Sequence, residues 1–246
     1  MVVKIRDAIV DTTGASLVGL SLYGSLATRD FEPDVSDIDL IAVLTAAPDE
    51  QLASRLRETH ARLVGASPEW DDRIEVDYVS ARGLADCLTD TTTIARISPG
   101  EPLHLVRAGR DFLLDWYPAR QDGVTVLGAP LRSLIPPIPE AEYLEEVRRY
   151  LAGFASRFDD DASPGSQAYA ILTMCRGLFA IRFGERLSKR QAASRAKREF
   201  PRWSHLIDRA LRWRDGQWDD DQPHGAETVA ETRAFISDVR DALERS

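Results

Sequence analysis

The sequence predicts an α/β (α+β) domain with a mixed sheet, residues 1–137, followed by an all-α helical bundle domain, residues 138–246. Three observations point there. Short β-branched runs alternate with amphipathic ones through the first part, and the later pattern is almost purely helical. Between them lies Val126–Pro139 (VLGAPLRSLIPPIP), with prolines at 130, 136, 137 and 139. Proline removes a backbone donor and pushes its predecessor out of the helical region, so no helix continues through this stretch. Charge is also divided: residues 1–140 carry 13 basic and 22 acidic side chains, whereas 141–246 carry 18 of each, so the net −9 belongs to the first part.

In the first part, Leu17–Tyr23 (LVGLSLY) and Asp37–Leu44 (DIDLIAVL) read as buried strands. Arg73–Ser80 (RIEVDYVS) alternates apolar and charged residues, the period of a strand with one wet face. Asp49–Leu63 sets Leu52, Leu56 and Leu63 among charged neighbours, a surface helix. The run from Asp90 to Asp122 is ambiguous and is assigned no elements. In the second part, Glu140–Phe158 keeps Tyr143, Leu144, Val147 and Leu151 on one helix face. Ser166–Phe183 is apolar around most of its circumference, as a central bundle helix is, and Gly184 stops it. Ser188 followed by Gln191 fits a capping box opening a helix to about Phe200. Pro201–Arg214 and Ala226–Glu244 complete a five-helix bundle.

Composition bounds the function classes. The chain has 246 residues, 43% hydrophobic and 29% charged, the balance of an ordinary soluble globular protein. Cys87 and Cys175 cannot build a disulfide framework, which fits a reducing, cytoplasmic setting. No stretch reaches the roughly 20 apolar residues of a membrane span, and no signal-peptide core is visible. The acidic first part argues against nucleic acid as a partner and suits divalent metals or cationic small molecules, although on charge alone acidity kept for solubility is the better explanation.

The chemistry concentrates in Leu22–Leu40, LYGSLATRDFEPDVSDIDL. One strand ends in Gly24-Ser25, and the next opens with Ser36-Asp37-Ile38-Asp39. Carboxylates two apart on a strand share a face, about 7 Å apart along the chain, so Asp37 and Asp39 can reach one pair of Mg²⁺ ions, which want oxygen ligands. The Gly-Ser turn offers a close backbone approach and a hydroxyl, which suits a phosphate. A third carboxylate comes from Glu75 or Asp77, again two apart, and either can join the cluster. Such a cluster supports in-line attack by a hydroxyl on a nucleotide α-phosphorus.

Gly24-Ser25 with Asp37-Ile38-Asp39 resembles the signature of the polymerase-beta-type nucleotidyltransferase superfamily. LYGS…SDIDL, IEVDYV, VLGAP and LTMCRGLFAIRFGERLSKRQAA, in that order, resemble the bacterial streptomycin/spectinomycin (aminoglycoside) adenylyltransferases over most of the chain. The resemblance implies an enzyme, an ATP-dependent nucleotidyltransferase that moves AMP to a hydroxyl of a small cationic acceptor, an aminoglycoside or aminocyclitol. ATP is then the co-substrate, Mg²⁺ the cofactor, antibiotic resistance the setting, and a monomer the expected state. It implies Asp37 and Asp39 as Mg²⁺ ligands and Glu75 as the catalytic base; Asp77, a further candidate ligand from its place in the acidic strand, falls where the family has a non-acidic residue. Gly24, Ser25 and Ser36 would meet the triphosphate, Arg176 and Lys189 would grip its phosphates, and Asp111 would touch the nucleotide.

The bottom-up reading supports those cations. Nine basic residues and only two acidic ones lie between Arg176 and Arg202. Arg195, Lys197 and Arg198 read as a solvated face, whereas Arg176, inside an apolar helix, needs a partner. Two departures bear on the acceptor. The family's aminoglycoside-stacking tryptophan is replaced near Gly100-Glu101-Pro102, and its helical-domain aspartate falls at about Ser166, beside Tyr169, with Asp159–Asp161 upstream. His60, His104, His205 and His224 lack metal-ligand spacing; Trp203, Trp213 and Trp218 read as core, with Trp213 as an adenine platform the alternative. The alternatives are an antitoxin-type enzyme that adenylylates a protein and a non-catalytic nucleotide-binding module.

Overall fold

The computed structural model describes residues 1–154, 162–216 and 226–245. The acidic triplets 159–161 and 219–221, Trp218 and His224 lie outside the described residues. The chain divides into two compact units, Met1–Tyr143 and Leu144–Ser246.

The first unit is built on a six-stranded mixed sheet of β1 (Leu17–Leu22), β2 (Ile38–Leu44), β3 (Ile74–Ser80), β4 (Thr92–Ser98), β5 (Glu101–Ala108) and β6 (Val124–Gly128), in the order β5-β4-β3-β2-β1-β6. Only β2 and β3 pair in parallel; every other neighbour is antiparallel. A parallel pair needs a long crossover, and α3 (Glu50–Gly65), capped by the Asp49 side chain, supplies it. On one face α3 and α1 (Val2–Thr13) enclose Ile5, Ile9, Leu20, Leu40 and Leu56. On the other, α2 (Gly24–Thr28), α4 (Ala81–Ala85), α5 (Leu113–Asp122) and α6 (Leu131–Leu134) cover Ile41, Val43, Val79 and Trp116.

Both faces are therefore dry, and this corrects the reading of Arg73–Ser80. Val76, Asp77, Tyr78, Val79 and Ser80 are all buried, so β3 has no wet face and its acids need partners inside the protein. The ambiguous run resolves into the β4–β5 hairpin, a 3₁₀ turn at Arg110–Phe112, and α5. Within the proline-rich stretch, β6 joins the sheet beside β1, and one short helical turn, α6, fits between Pro130 and Pro136. The first unit ends inside α7 (Glu140–Ala152), because Tyr143 stacks on Tyr117 at 4.4 Å and Glu142 pairs with Arg110.

The second unit is helical: the rest of α7, then α8 (Pro164–Phe183), α9 (Lys189–Glu199), α10 (Ser204–Arg214) and α11 (Ala226–Glu244). α9, α10 and α11 all pack on α8, which is buried through Ile171, Met174, Cys175 and Leu178. Gly184, at φ 66°, ends α8, and Ser188 and Gln191 form the expected capping box. No helix of the described residues is long and apolar enough to cross a membrane.

Candidate active site

β1 ends at Leu22, and Tyr23 continues extended, its N–H donating to the Asp39 carbonyl at 3.0 Å. Gly24 then turns into α2 at φ +64°, a region that L side chains rarely adopt. A Cβ there would lie 1.9 Å from Asp39 Oδ2, so the bare backbone of residue 24 packs directly on that carboxylate. Ser25 follows in the first turn of α2, half-buried.

Asp37 immediately precedes β2 and Asp39 lies within it; both are half-buried. Asp39 is in register with Glu75, and Ile41 with Asp77, across the parallel β2–β3 pair. Strand periodicity puts Asp39, Glu75 and Asp77 on one sheet face, the face covered by α5. Ser36 has a local structural duty. It is 5% exposed, and its hydroxyl accepts from Glu32 N–H at 3.0 Å, which staples the loop ahead of β2.

A residue outside the sequence-based candidates organises the acids. Arg96, on β4 opposite Asp77, donates from Nη2 to Glu75 Oε1 at 3.0 Å and from Nη1 to Asp77 Oδ1 at 2.9 Å. The same Nη1 lies 3.4 Å from Asp115 Oδ2 of α5, and the guanidinium sits 5.2 Å from the Phe112 ring centre. Tyr23 Oη adds a 2.5 Å hydrogen bond to Glu75 Oε1. Tyr23, Arg96 and Asp115 thus join the site unannounced. The available signal was the acid pair of β3, which demanded a cation, and the lone arginine in TTIARIS.

Asp77 lies deeper than the other acids. It is fully buried, its Oδ1 accepts from Arg96 and anchors that arginine, and its Oδ2 has no hydrogen-bond partner among the described residues. Burial pushes its carboxyl up to about 8, with Arg96 opposing and Asp115 and Glu75 reinforcing the shift. Burial disfavours the charged form of Arg96 as well, but Asp77, Glu75 and Asp115 outweigh it and hold its pKa above the ordinary range. The Tyr23 hydroxyl is held well above its usual value by burial, then by Asp115 and Glu75.

Asp111 stays apart from this cluster: it is exposed, and its carboxylate caps Gly109 N–H at 3.1 Å. Gly100-Glu101-Pro102 forms the β4–β5 turn and the start of β5. Among the described residues, no group of three His, Cys, Asp or Glu side chains is arranged to hold a metal.

In the second unit, Ser166, Tyr169 and Arg176 are exposed and Thr173 half-buried, so one face of α8 carries all four at helical spacing. Arg176 is therefore exposed on an otherwise apolar helix, and among the described residues it has no ion pair, although its setting predicted a partner. Lys189 opens α9 directly after its Ser188 cap. Most neighbouring cations are committed: Arg182 to Glu199, Arg190 to Asp215, Arg195 to Glu185 and Lys197 to Asp208. Arg195 also covers Phe179 at 4.5 Å, so Arg195 and Lys197 are paired rather than simply solvated.

Comparison with known proteins agrees with this architecture. Residues 133–238 match the family model of the C-terminal domain of aminoglycoside adenylyltransferases. The chain is 25% identical over 202 residues to spectinomycin 9-adenylyltransferase of Campylobacter jejuni, covering 78% of this chain and 74% of that protein. The crystal structure of spectinomycin adenyltransferase AAD(9) from Enterococcus faecialis, with ATP and spectinomycin, superposes with a TM-score of 0.77 at 17% identity, over 96% of this chain and 98% of that one. At that identity the likeness is one of fold.

Proposed function

We propose that this chain, an aminoglycoside-adenylyltransferase-like nucleotidyltransferase, transfers AMP from ATP to a hydroxyl of an aminoglycoside or aminocyclitol and releases pyrophosphate. The observation that carries this reading is the Gly24–Asp39–Glu75 arrangement: a side-chain-free turn packed on one carboxylate, in register with a second on the adjoining strand. The first points to a phosphate brought close to a metal ligand, and the second to a base beside it.

Mg²⁺ is bound by oxygen, commonly through one or two carboxylates with substrate phosphates completing the shell. Asp37 and Asp39, two residues apart and half-buried, fit that requirement. When bound there, the metal would draw charge from the phosphate oxygens and favour departure of pyrophosphate.

This chain's own residues divide the remaining work. Glu75 takes the proton of the acceptor hydroxyl as its oxygen bonds to the α-phosphorus, and the bond from that phosphorus to the bridging oxygen of pyrophosphate breaks. The Gly24-Ser25 turn lets a phosphate approach the backbone. Arg176 and Lys189 hold the triphosphate, and Asp111 is the candidate nucleotide contact of the first unit. A cationic acceptor suits an acidic first unit and the partly exposed Asp115.

The test is Mg²⁺-dependent pyrophosphate release from ATP across a panel of aminoglycosides and aminocyclitols, starting with spectinomycin. Release with one of them, and an acceptor heavier by one AMP in the mass spectrum, is the expected result. ATP binding with silence across the panel would move the acceptor outside this class.

A further inference from the structure

Resting on the adenylyl-transfer reading, we infer that Arg96 is a positioning residue that fixes Glu75 with one chosen carboxylate oxygen, Oε2, presented to the acceptor hydroxyl.

The two oxygens of Glu75 differ in their surroundings. Oε1 accepts from Tyr23 Oη at 2.5 Å and from Arg96 Nη2 at 3.0 Å. The donors come from different elements, the end of β1 and the middle of β4, so turning the carboxylate would break both bonds. Among the described residues, Oε2 has no hydrogen-bond donor. A base must be within hydrogen-bond reach of its proton and correctly oriented, and this arrangement leaves one oxygen for the task.

Arg96 is itself immobilised. Asp77, fully buried and directly opposite on β3, holds Nη1, Asp115 approaches the same nitrogen, and Phe112 lies against the guanidinium. A planar guanidinium can engage Glu75 through one nitrogen and Asp77 through another; a lysine ammonium is a single point and cannot reproduce that fork. The side chain is 18% exposed, so water competes little for these bonds.

The variant Arg96→Met alone would strand the Asp77 carboxylate, so the test pairs it as Arg96→Met/Asp77→Asn, alongside Arg96→Lys. Displacing a reacting group by about 1 Å can cost on the order of 100-fold in rate. The double variant is therefore expected to lose about 100-fold in kcat, with KM for ATP and Kd for ATP within about two-fold of wild type, and Arg96→Lys to recover part of the loss. A folded double variant with wild-type kcat would overturn the inference. So would parallel losses in kcat and ATP affinity, which would make Arg96 a nucleotide contact. Crystal structures of both variants provide a readout independent of turnover: Glu75 is expected to leave its single conformation, and an unmoved Glu75 also overturns the inference. A wild-type protein silent on every acceptor defeats the adenylyl-transfer reading instead, and the Glu75 conformation still decides the role of Arg96.

Discussion

Asp39 and Glu75 stand directly opposite each other on the parallel strands β2 and β3, one packed under Gly24 and the other held by Tyr23 and Arg96. Parallel register makes neighbouring positions share a face, so two acids far apart in the chain meet without any loop having to place them. Their supports differ. Asp39 meets bare backbone at a turn, and Glu75 meets two hydrogen-bond donors. That difference fits the proposed division of roles, a metal ligand in Asp39 and a base in Glu75.

Asp39→Asn and Glu75→Gln should therefore fail differently. Removing a metal-binding carboxylate forfeits several kcal/mol of transition-state stabilisation, on the order of 10³-fold in rate, and raises the Mg²⁺ concentration needed for half-maximal turnover. Removing the base costs about 10²–10⁴-fold in kcat and leaves that Mg²⁺ requirement where it was. Mg²⁺ titrations of pyrophosphate release on both variants check this; an identical Mg²⁺ shift in the two would merge their roles.

Gly24→Ala tests the turn. A Cβ there meets Asp39 Oδ2 at 1.9 Å and also sits at φ +64°, so the carboxylate must move. Gly14→Ala is the control: φ is +56°, and nothing lies within 4 Å of the added Cβ. Both changes place a side chain at a positive φ that L residues rarely adopt, so both should lower stability in urea unfolding. Only Gly24→Ala should lower turnover, by about 10-fold or more, a factor of ten corresponding to about 1.4 kcal/mol of barrier.

The features legible in the sequence were those with a local period or a local cap. β2 announced itself as an apolar run carrying Asp37 and Asp39, and α9 through Ser188 and Gln191. Arg96 was not legible, because β4 is only half-buried along much of its length and its polar residues blur the two-residue alternation. α5 hid for a related reason: Leu113, Trp116, Tyr117 and Ala119 are buried, yet Pro118 in its middle reads as a breaker. β6 is an edge strand with Val124 and Leu127 exposed, followed closely by Pro130, so its pairing with β1 is a tertiary fact with little local trace. The burial of Asp77 was not legible, because sequence spacing shows which side of a strand a residue faces but not whether that side is wet.

His60 gives the fold an acid limit. It is buried, its Nε2 meets Tyr78 Oη at 2.8 Å, and its Nδ1 has no partner. Burial lowers its pKa from 6.5 to about 4. The folded state therefore resists a proton that the unfolded chain accepts, and stability present above pH 6.5 is lost as the pH falls toward 4. The loss is on the order of 3 kcal/mol. Urea unfolding at several pH values should show this decline, and His60→Gln, which keeps a polar partner for Tyr78 but cannot titrate, should flatten it.

Arg176 is an exposed cation of the second unit, on α8. Arg182, Arg190, Arg195 and Lys197 each have a carboxylate partner, so their charges are already answered within the fold. Arg176 has no ion pair among the described residues and lies exposed on the α8 face that carries Tyr169 and Thr173. A charge-assisted hydrogen bond to phosphate is worth roughly 1.5–3 kcal/mol, so Arg176→Ala should raise KM for ATP about 10–100-fold. Its thermal midpoint should stay close to wild type, since no partner is stranded. Arg182→Ala should behave in the opposite way. It strands Glu199 and removes the 2.8 Å bond to the Ala242 carbonyl, so it lowers the midpoint and leaves KM for ATP unchanged. Steady-state kinetics with matched thermal melts separate the two, and an unchanged KM in Arg176→Ala would remove that residue from the nucleotide site.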